Sequence, residues 1–393
     1  MRRLEWLLVA ALAGLVVAAV GIVFMGPWLG RGSSPADRAA EGAERETMTA
    51  RVVEVVEEGA VQLGDGSSQP YQRLLVHIEA GSMVGQEIMI EEGTTNIIGQ
   101  ERMFKRGDRV FLERMTGLGD ERFYISDVIR LGPLLFIVLL FVALVLGVGR
   151  WKGVRSLGGS AFSLAVVFAL IVPQIVAGRD PVGVTIVGSV LLLSVSTYLT
   201  YGVNFKAHAA VAGMVLSLTL TGGLAWLAVG WTRLTGMGLE ESAFLVTEFG
   251  SDINLRGLVL AGIVIGSLGV LDDVCVGQAS AVFELIKANR HLGWRDLFRA
   301  SLNIGTDHIA AMVNTLLLAY VGGAMPLILA FSIYQEPLLR RINREPIAEE
   351  MVRTLVGSSG LVLAVPITGL LASVLAHWTV RGRGMKQREQ DVE

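Results

Sequence analysis

Cysteine and charge are both scarce in this chain. Cys275 is the single cysteine among 393 residues, which excludes an intrachain disulfide and any cysteine-rich metal centre. Charged residues make up 18% of the sequence, and 33 basic against 36 acidic side chains leave a net charge of −3. Bulk charge therefore points to no nucleic-acid partner. No glycine-rich loop ending in Lys and Ser or Thr occurs, so direct coupling to ATP is also excluded. Apolar side chains take the place of these groups, at 52% of residues with a mean hydropathy of +0.57. That composition belongs to an integral membrane protein, whose first partner is the lipid bilayer.

The chain divides by composition. Residues 1–30 carry Arg2 and Arg3 and then an apolar run long enough for a hydrocarbon core of about 30 Å. Pro27 and Trp28 stand where a small-residue cleavage site would lie, so this segment reads as an uncleaved transmembrane anchor. Residues 31–130 are charged and β-prone. Five candidate strands, “MTARVVEVVEE”, “QRLLVHIEA”, “GQEIMIEE”, “DRVFLERM” and “RFYISDVIR”, are separated by turn residues and predict a small barrel or sandwich. Their surfaces lack the basic grooves with aromatics that bind oligonucleotides.

Residues 131–380 return to membrane composition, with spans expected near 133–149, 157–177, 181–202, 207–230, 257–276, 305–335 and 355–378. The run 305–335 contains “YVGGAMP” and is either one helix broken at Gly322, Gly323 and Pro326 or two short spans. Residues 381–393 form a basic tail. Arg2, Arg3, “GRWKGVR”, Lys206, “KANRHLGWRDLFR” and the tail all fall on one side, which the positive-inside rule makes cytoplasmic. The expected fold is an all-α polytopic membrane bundle of about eight spans, with a small extracytoplasmic all-β domain inserted after the first span.

Within “LVLAGIVIGSLGVLDDVCVGQASAVFELIK”, Gly262, Gly266, Gly269, Asp273, Gly277, Ser280 and Glu284 share one face within about 80° of arc. Small residues permit close helix approach, so the four glycines predict a packing face that carries acids into the bundle. Asp272 points about 100° away and looks toward a different neighbour. Asp273 and Glu284 lie about 16 Å apart along the axis, too far to share a proton. A second polar face, Asn303, Asp307, Ala311 and Asn314, supplies Asp307 as the expected neighbour of Asp273. Acids at membrane depth are costly and persist when paired, hydrated or functional. Thr185, Ser189, Ser196 and Thr200 make a hydroxyl stripe that leads to a cytoplasmic turn with Thr200 and Lys206.

Three motifs in series, “GSLGVLDDVCVGQASAVFEL”, “LNIGTDHIAAMVNTLLLAYVG” and “VRTLVGSSGLVLAVPITGLLA”, resemble the YibE/F-like bacterial membrane proteins over roughly residues 130–380. The matching positions are Gly269, Asp273, Ser280 and Glu284, then Gly305, Asp307, Asn314 and Thr315, with Thr200, Gly202 and Lys206 in the short turn. Ala310 and Ala311 stand where the family pattern has Gly and Ser or Thr. The resemblance implies a multi-pass protein of a bacterial inner (cytoplasmic) membrane and names no reaction, cofactor or metal.

The leading expectation is an ion- or proton-coupled permease whose polar path is lined by Asp273, Asp307 and Glu284, with Asn314, Asn303, Ser280 and Asp272 nearby. The alternative is a non-transporting scaffold or sensor acting through the external β domain, with a second copy or a membrane protein as partner. A third class is an intramembrane aspartate-dependent enzyme. It fares worst, because Asp273 has no Gly-x-Gly-Asp context and “GLGD” occurs only at 117–120. No residue is assigned a catalytic role.

Overall fold

The structure, a computed structural model, describes residues 44–62, 68–93, 103–117, 120–238, 240–249, 253–333 and 336–390. The expected anchor at 1–30 lies outside them, and the basic tail is described only as helical backbone up to Gln390. The chain forms two units, which are treated separately.

The first is a β unit. Five strands, β1 Glu44–Gln62, β2 Ser68–Ala80, β3 Glu87–Glu92, β4 Arg109–Gly117 and β5 Asp120–Val128, pair antiparallel in the order β3-β2-β1-β4-β5. Period-two alternation builds its core: Met48, Ala50 and Val52 of β1 face inward with Leu74, Val76 and Ile78 of β2 and with Val110 and Leu112 of β4. The two edge strands approach each other, since the Ile125 amide of β5 donates to the Glu92 carboxylate of β3 at 2.9 Å. This curls the sheet toward a barrel and occupies edge groups that would otherwise invite another strand. Gln72 is buried and clamps the loop before β4, donating to the Phe104 carbonyl at 3.0 Å and accepting from the Phe104 amide at 2.7 Å. On the surface, Arg51 donates to Glu79 at 2.6 Å and Arg109 grips its other oxygen, tying β1, β2 and β4 together.

The second unit is helical. Its elements are α1 Leu131–Val166, a π-helical turn Val167–Ile171, α2 Val172–Val176, α3 Pro181–Tyr201, α4 Phe205–Trp231, α5 Glu240–Phe249, α6 Leu255–Ala288, α7 Trp294–Gly323, α8 Met325–Ile333, α9 Leu338–Ile342 and α10 Glu345–Gln390. Local chemistry sets several of these ends. Asp180 caps α3 by accepting from Gly183 N at 2.8 Å with Pro181 at the first position, and Gly202 closes the helix at φ 80°. Asn204 and Asn254 cap α4 and α6 in the same way.

Six described helices are long and apolar enough to cross a membrane: Leu131–Val176, Pro181–Tyr201, Phe205–Trp231, Leu255–Ala288, Trp294–Gly323 and Glu345–Thr379. Eight spans are therefore not shown. The first of the six is broken at Arg150, whose φ of 49° and ψ of −128° are non-helical. A Cβ on Gly153 would press on the Val145 carbonyl, although eight residues of unbroken helix would separate them by about 12 Å. The chain thus turns back at Arg150, between the expected spans 133–149 and 157–177. The fork at 305–335 resolves as a break at Ala324, and the nine-residue α8 that follows is about 14 Å long, too short to span.

The bundle is built around α6, against which α3, α4, α7 and α10 pack. Its buried face carries Ile263, Val264, Leu268, Leu271, Val274, Cys275, Ala279 and Val282. α4 and α10 meet through glycine, with a Cβ on Gly213 colliding with Thr368 and one on Gly360 colliding with Thr221.

Two predictions follow from these contacts. Gly213→Leu should destabilise the bundle by about 1–3 kcal/mol through overpacking. Gly223→Leu, at an exposed position with nothing within 4 Å, should stay within about 0.5 kcal/mol. Thermal melts of the purified protein in detergent read the difference, and equal melts would refute the close crossing. In the β unit, hydrogen bonds from Arg51 and Arg109 hold the Glu79 carboxyl below its ordinary range, and those from Ser82 do the same for Glu46. A lowered carboxylate stabilises fully above its unfolded pKa and loses that contribution as pH falls through the folded value. The thermal midpoint of the sheet's infrared amide signal should thus fall on acidification through the carboxylate range, and Glu79→Gln should flatten that fall.

Candidate polar site between the membrane helices

The two aspartates of the central helix sit eighteen and nineteen residues after the Asn254 cap, midway along α6 rather than at its end. They face different ways, and the structure reverses the expected assignment. Asp272 is the inward one. It is half-buried against α3, where the Thr197 hydroxyl donates to Oδ1 at 3.4 Å, and Thr197 itself is buried beside the Met214 sulfur of α4 at 3.7 Å. Asp273 is exposed, as are Gly266, Gly269, Gly277 and Glu284 on the same face, whereas Gly262 and Ser280 are half-buried. The glycine stripe is thus not the helix's principal packing face. Large apolar residues on the opposite side bury α6, and the stripe leaves a shallow channel beside α7.

One turn below Asp272, the Cys275 thiol is buried between the hydroxyls of Ser217 on α4 and Thr368 on α10. Ser217 and Thr368 are fully buried, and neither hydroxyl has a geometrically good hydrogen bond among the described residues. The same holds for Thr185 and Ser189 of α3 and Ser373 of α10. Other buried hydroxyls do find partners: Thr221 donates to the Ser217 carbonyl at 2.8 Å and Ser267 to the Val264 carbonyl at 2.7 Å. Asp272, Thr197, Cys275, Ser217 and Thr368 thus form a polar centre drawn from four helices.

The channel side has its own polar groups. A groove of about 400 Å³ is lined by Gly277 and Gln278 of α6 and by Ile304, Asp307, His308 and Ala311 of α7. His308 lies close enough to Asp273 to act on its charge. The groove therefore brings the α7 acid and imidazole toward the Asp273 face. Asn303, Asp307 and Asn314 are exposed, on a helix whose buried residues are Leu297, Ser301 and Gly305.

Glu284 belongs to neither place. It pairs with Lys287 at 2.6 Å and lines a separate pocket with Asn204, Lys206 and Phe283 at the other end of α6. Lys206 stands over the Tyr201 ring at 5.3 Å, close to both Lys152 and Lys287. Thr200 is half-buried and packs with Ser196 against Gly159 of α1, a helix contact rather than part of the polar centre. Ser280 donates to the Val276 carbonyl at 2.7 Å within its own helix.

Sequence reasoning missed Gln278, Thr197, Ser217 and Thr368. Gln278 is buried, donates to the Ser301 carbonyl at 2.8 Å, and lies where a Cβ on Gly305 or Gly369 would press on it. It locks α6, α7 and α10 together just beneath the groove. The available signal was an amide with a glycine facing it on each of two other apolar helices. No group of three or more His, Cys, Asp or Glu side chains suited to a metal ion occurs among the described residues.

Residues 137–378 match the YibE/F-like protein family, more than half of the chain. The chain belongs to the YibE/F-like family. No curated protein and no solved structure matches it. The matched region contains the whole of both polar places, whereas the five strands of the β unit precede it. The part of this YibE/F-like chain that the family match covers is thus the membrane bundle, including the segments that carry the acids of α6 and α7.

The reversal of the aspartates is directly checkable with thiol chemistry. Cys275 is buried, so the native protein should stay unlabelled by a water-soluble methanethiosulfonate. Asp273→Cys should label readily and Asp272→Cys at least about tenfold more slowly, a ~1.4 kcal/mol difference in access. Equal rates would refute the assignment of inner and outer positions.

Proposed function

We propose that this protein is an ion- or proton-coupled permease of a bacterial inner membrane, with Asp272 as the coupling group. The observation that carries this reading is the Asp272 carboxylate midway along α6, accepting from Thr197 and within a centre where the buried Ser217 and Thr368 hydroxyls make no good hydrogen bond among the described residues. An acid at that depth is costly and is kept when it binds or moves charge. Asp273 is its neighbour in sequence and in electrostatic effect, but is exposed and within electrostatic reach of His308, which lines the α7 groove with Asp307. The two aspartates then work as a relay around α6: the outer one exchanges with the groove, and the inner one commits the charge to the bundle. Glu284, paired at the basic end, is outside the relay.

Lys152, Lys206 and Lys287 gather at one end of the bundle, which supports a cytoplasmic assignment for that end and an extracytoplasmic one for the β unit. The polar face of α7 supports a second reading, a scaffold that docks a membrane partner or another copy of the chain. Asn303, Asp307 and Asn314 are uncovered there on a membrane-length helix, and polar side chains promote helix association in lipid.

Proteoliposomes with an enclosed pH-sensitive dye, and parallel uptake of radioactive sodium, separate the readings. Under an imposed gradient the intact protein should carry one of the two ions. Asp272→Asn should lower that flux by about tenfold or more, whereas Glu284→Gln should leave it within about twofold. Equal flux in intact protein and Asp272→Asn would sink the assigned role. Absence of flux with either ion, together with cross-linking through Asn314→Cys, would favour the scaffold.

A further inference from the structure

At the opposite end of the bundle from the lysines lies a pocket of about 500 Å³ that the proposed transport path does not use. It is formed where α2 ends at Val176 and where α3 and α6 begin at Pro181 and Leu255. Its mouth is therefore at the level where membrane-length helices leave the hydrocarbon. The walls are apolar: Val172, Ile175 and Val176 on one side, Leu245 of the amphipathic α5 and Leu258 of α6 on the other. Its volume falls in the range of roughly 300–1,000 Å³ found for small-molecule sites.

The rim is polar and unevenly satisfied. Asp180 is committed to its own helix, accepting from Gly183 N at 2.8 Å, and receives a long contact from Asn254 at 3.4 Å. Arg179, its neighbour, lines the same pocket yet makes no side-chain hydrogen bond or ion pair with the described residues. An unpaired guanidinium above an apolar slot at headgroup depth matches one class of molecule. A phosphodiester offers the two oxygens that a guanidinium fork binds, and an acyl chain fills the slot below.

We propose that this pocket is a phospholipid site, with the lipid phosphate on Arg179 and an acyl chain among Ile175, Leu245 and Leu258. The lipid fastens the start of α3 to the start of α6 and to α5. It thereby braces the end of the bundle away from the lysines.

Native mass spectrometry of the full chain, released from detergent after incubation with phosphatidylglycerol, tests the assignment. Diacylglycerol supplies the chains without the phosphate, and inorganic phosphate supplies the anion without the chains. One phosphatidylglycerol should be retained at least about tenfold more than diacylglycerol, and excess phosphate should not displace it. Arg179→Gln should abolish that preference and Arg179→Lys should keep part of it, while Arg340→Gln, a cation already paired with Glu336, should leave it unchanged. Equal retention of the two lipids would overturn the phosphate contact, as would an unchanged preference in Arg179→Gln. Displacement by inorganic phosphate would make the pocket a free-anion site and overturn the lipid. Because these readouts involve no ion flux, their outcome is independent of the role given to Asp272.

Discussion

Hydrocarbon offers no water to a polar group, so every hydroxyl, amide and acid inside the bundle depends on how closely α6 is wrapped by its neighbours. Glycine sets that distance. Gly213 and Gly360 bring α4 and α10 together until threonine side chains rest on backbone, and Gly305 and Gly369 do the same around Gln278. Some groups sealed in this way are satisfied, as Gln278 and Thr221 are. Thr185, Ser189, Ser217, Thr368 and Ser373 are not satisfied within the described residues. A buried hydroxyl without a partner costs about 1–3 kcal/mol, against a net stability of roughly 5–15 kcal/mol for a whole domain. Several such groups in one bundle weigh heavily on stability, and Val or Ala would fill the same space without the cost. Their presence beside an acid argues for a polar interior that is used.

The same geometry separates three carboxylates that are neighbours in sequence. Asp272 and Asp273 are about 100° apart around the helix, enough to put one against α3 and the other on the open channel. Glu284 shares the direction of Asp273 but lies far enough along α6 to meet the basic end, where Lys287 neutralises it. A helix can therefore place like charges within electrostatic reach of one another and still give them different surroundings. That difference in surroundings is what a relay requires.

Much of the architecture was legible in advance because it rests on local periodicity. The five strands lie where alternation and turn residues put them, for which Met48, Ala50 and Val52 are enough. The turn at Arg150 and the break beside Gly323 fall where charge or glycine interrupts an apolar run. The orientation of α6 was misread for a physical reason. Gly262, Gly266, Gly269 and Gly277 form the smoother face, and smoothness permits close packing without requiring it. Leu268, Leu271, Val274 and Val282 bury more area, and that area decided which side turned inward. Asp272 followed its neighbours Leu268, Cys275 and Ala279 into the core. Thr197, Ser217 and Thr368 were illegible as a group, because each sits on a different helix and no sequence spacing connects them.

Pro366 adds a last constraint at this level. It lies inside α10, two residues before Thr368, and removes one backbone hydrogen bond from the helix that closes the polar centre. Val365 beside it rests on Gly305 of α7, and Thr368 rests on Gly213 of α4. Bending of a long helix concentrates at proline, so α10 yields most easily between the two contacts it makes with α4, at Gly360 and at Thr368. A bend there would change the spacing of Thr368 from Ser217 and Cys275. The point where the longest described helix bends most easily thus lies two residues from Thr368, one of the buried hydroxyls without a good hydrogen bond among the described residues.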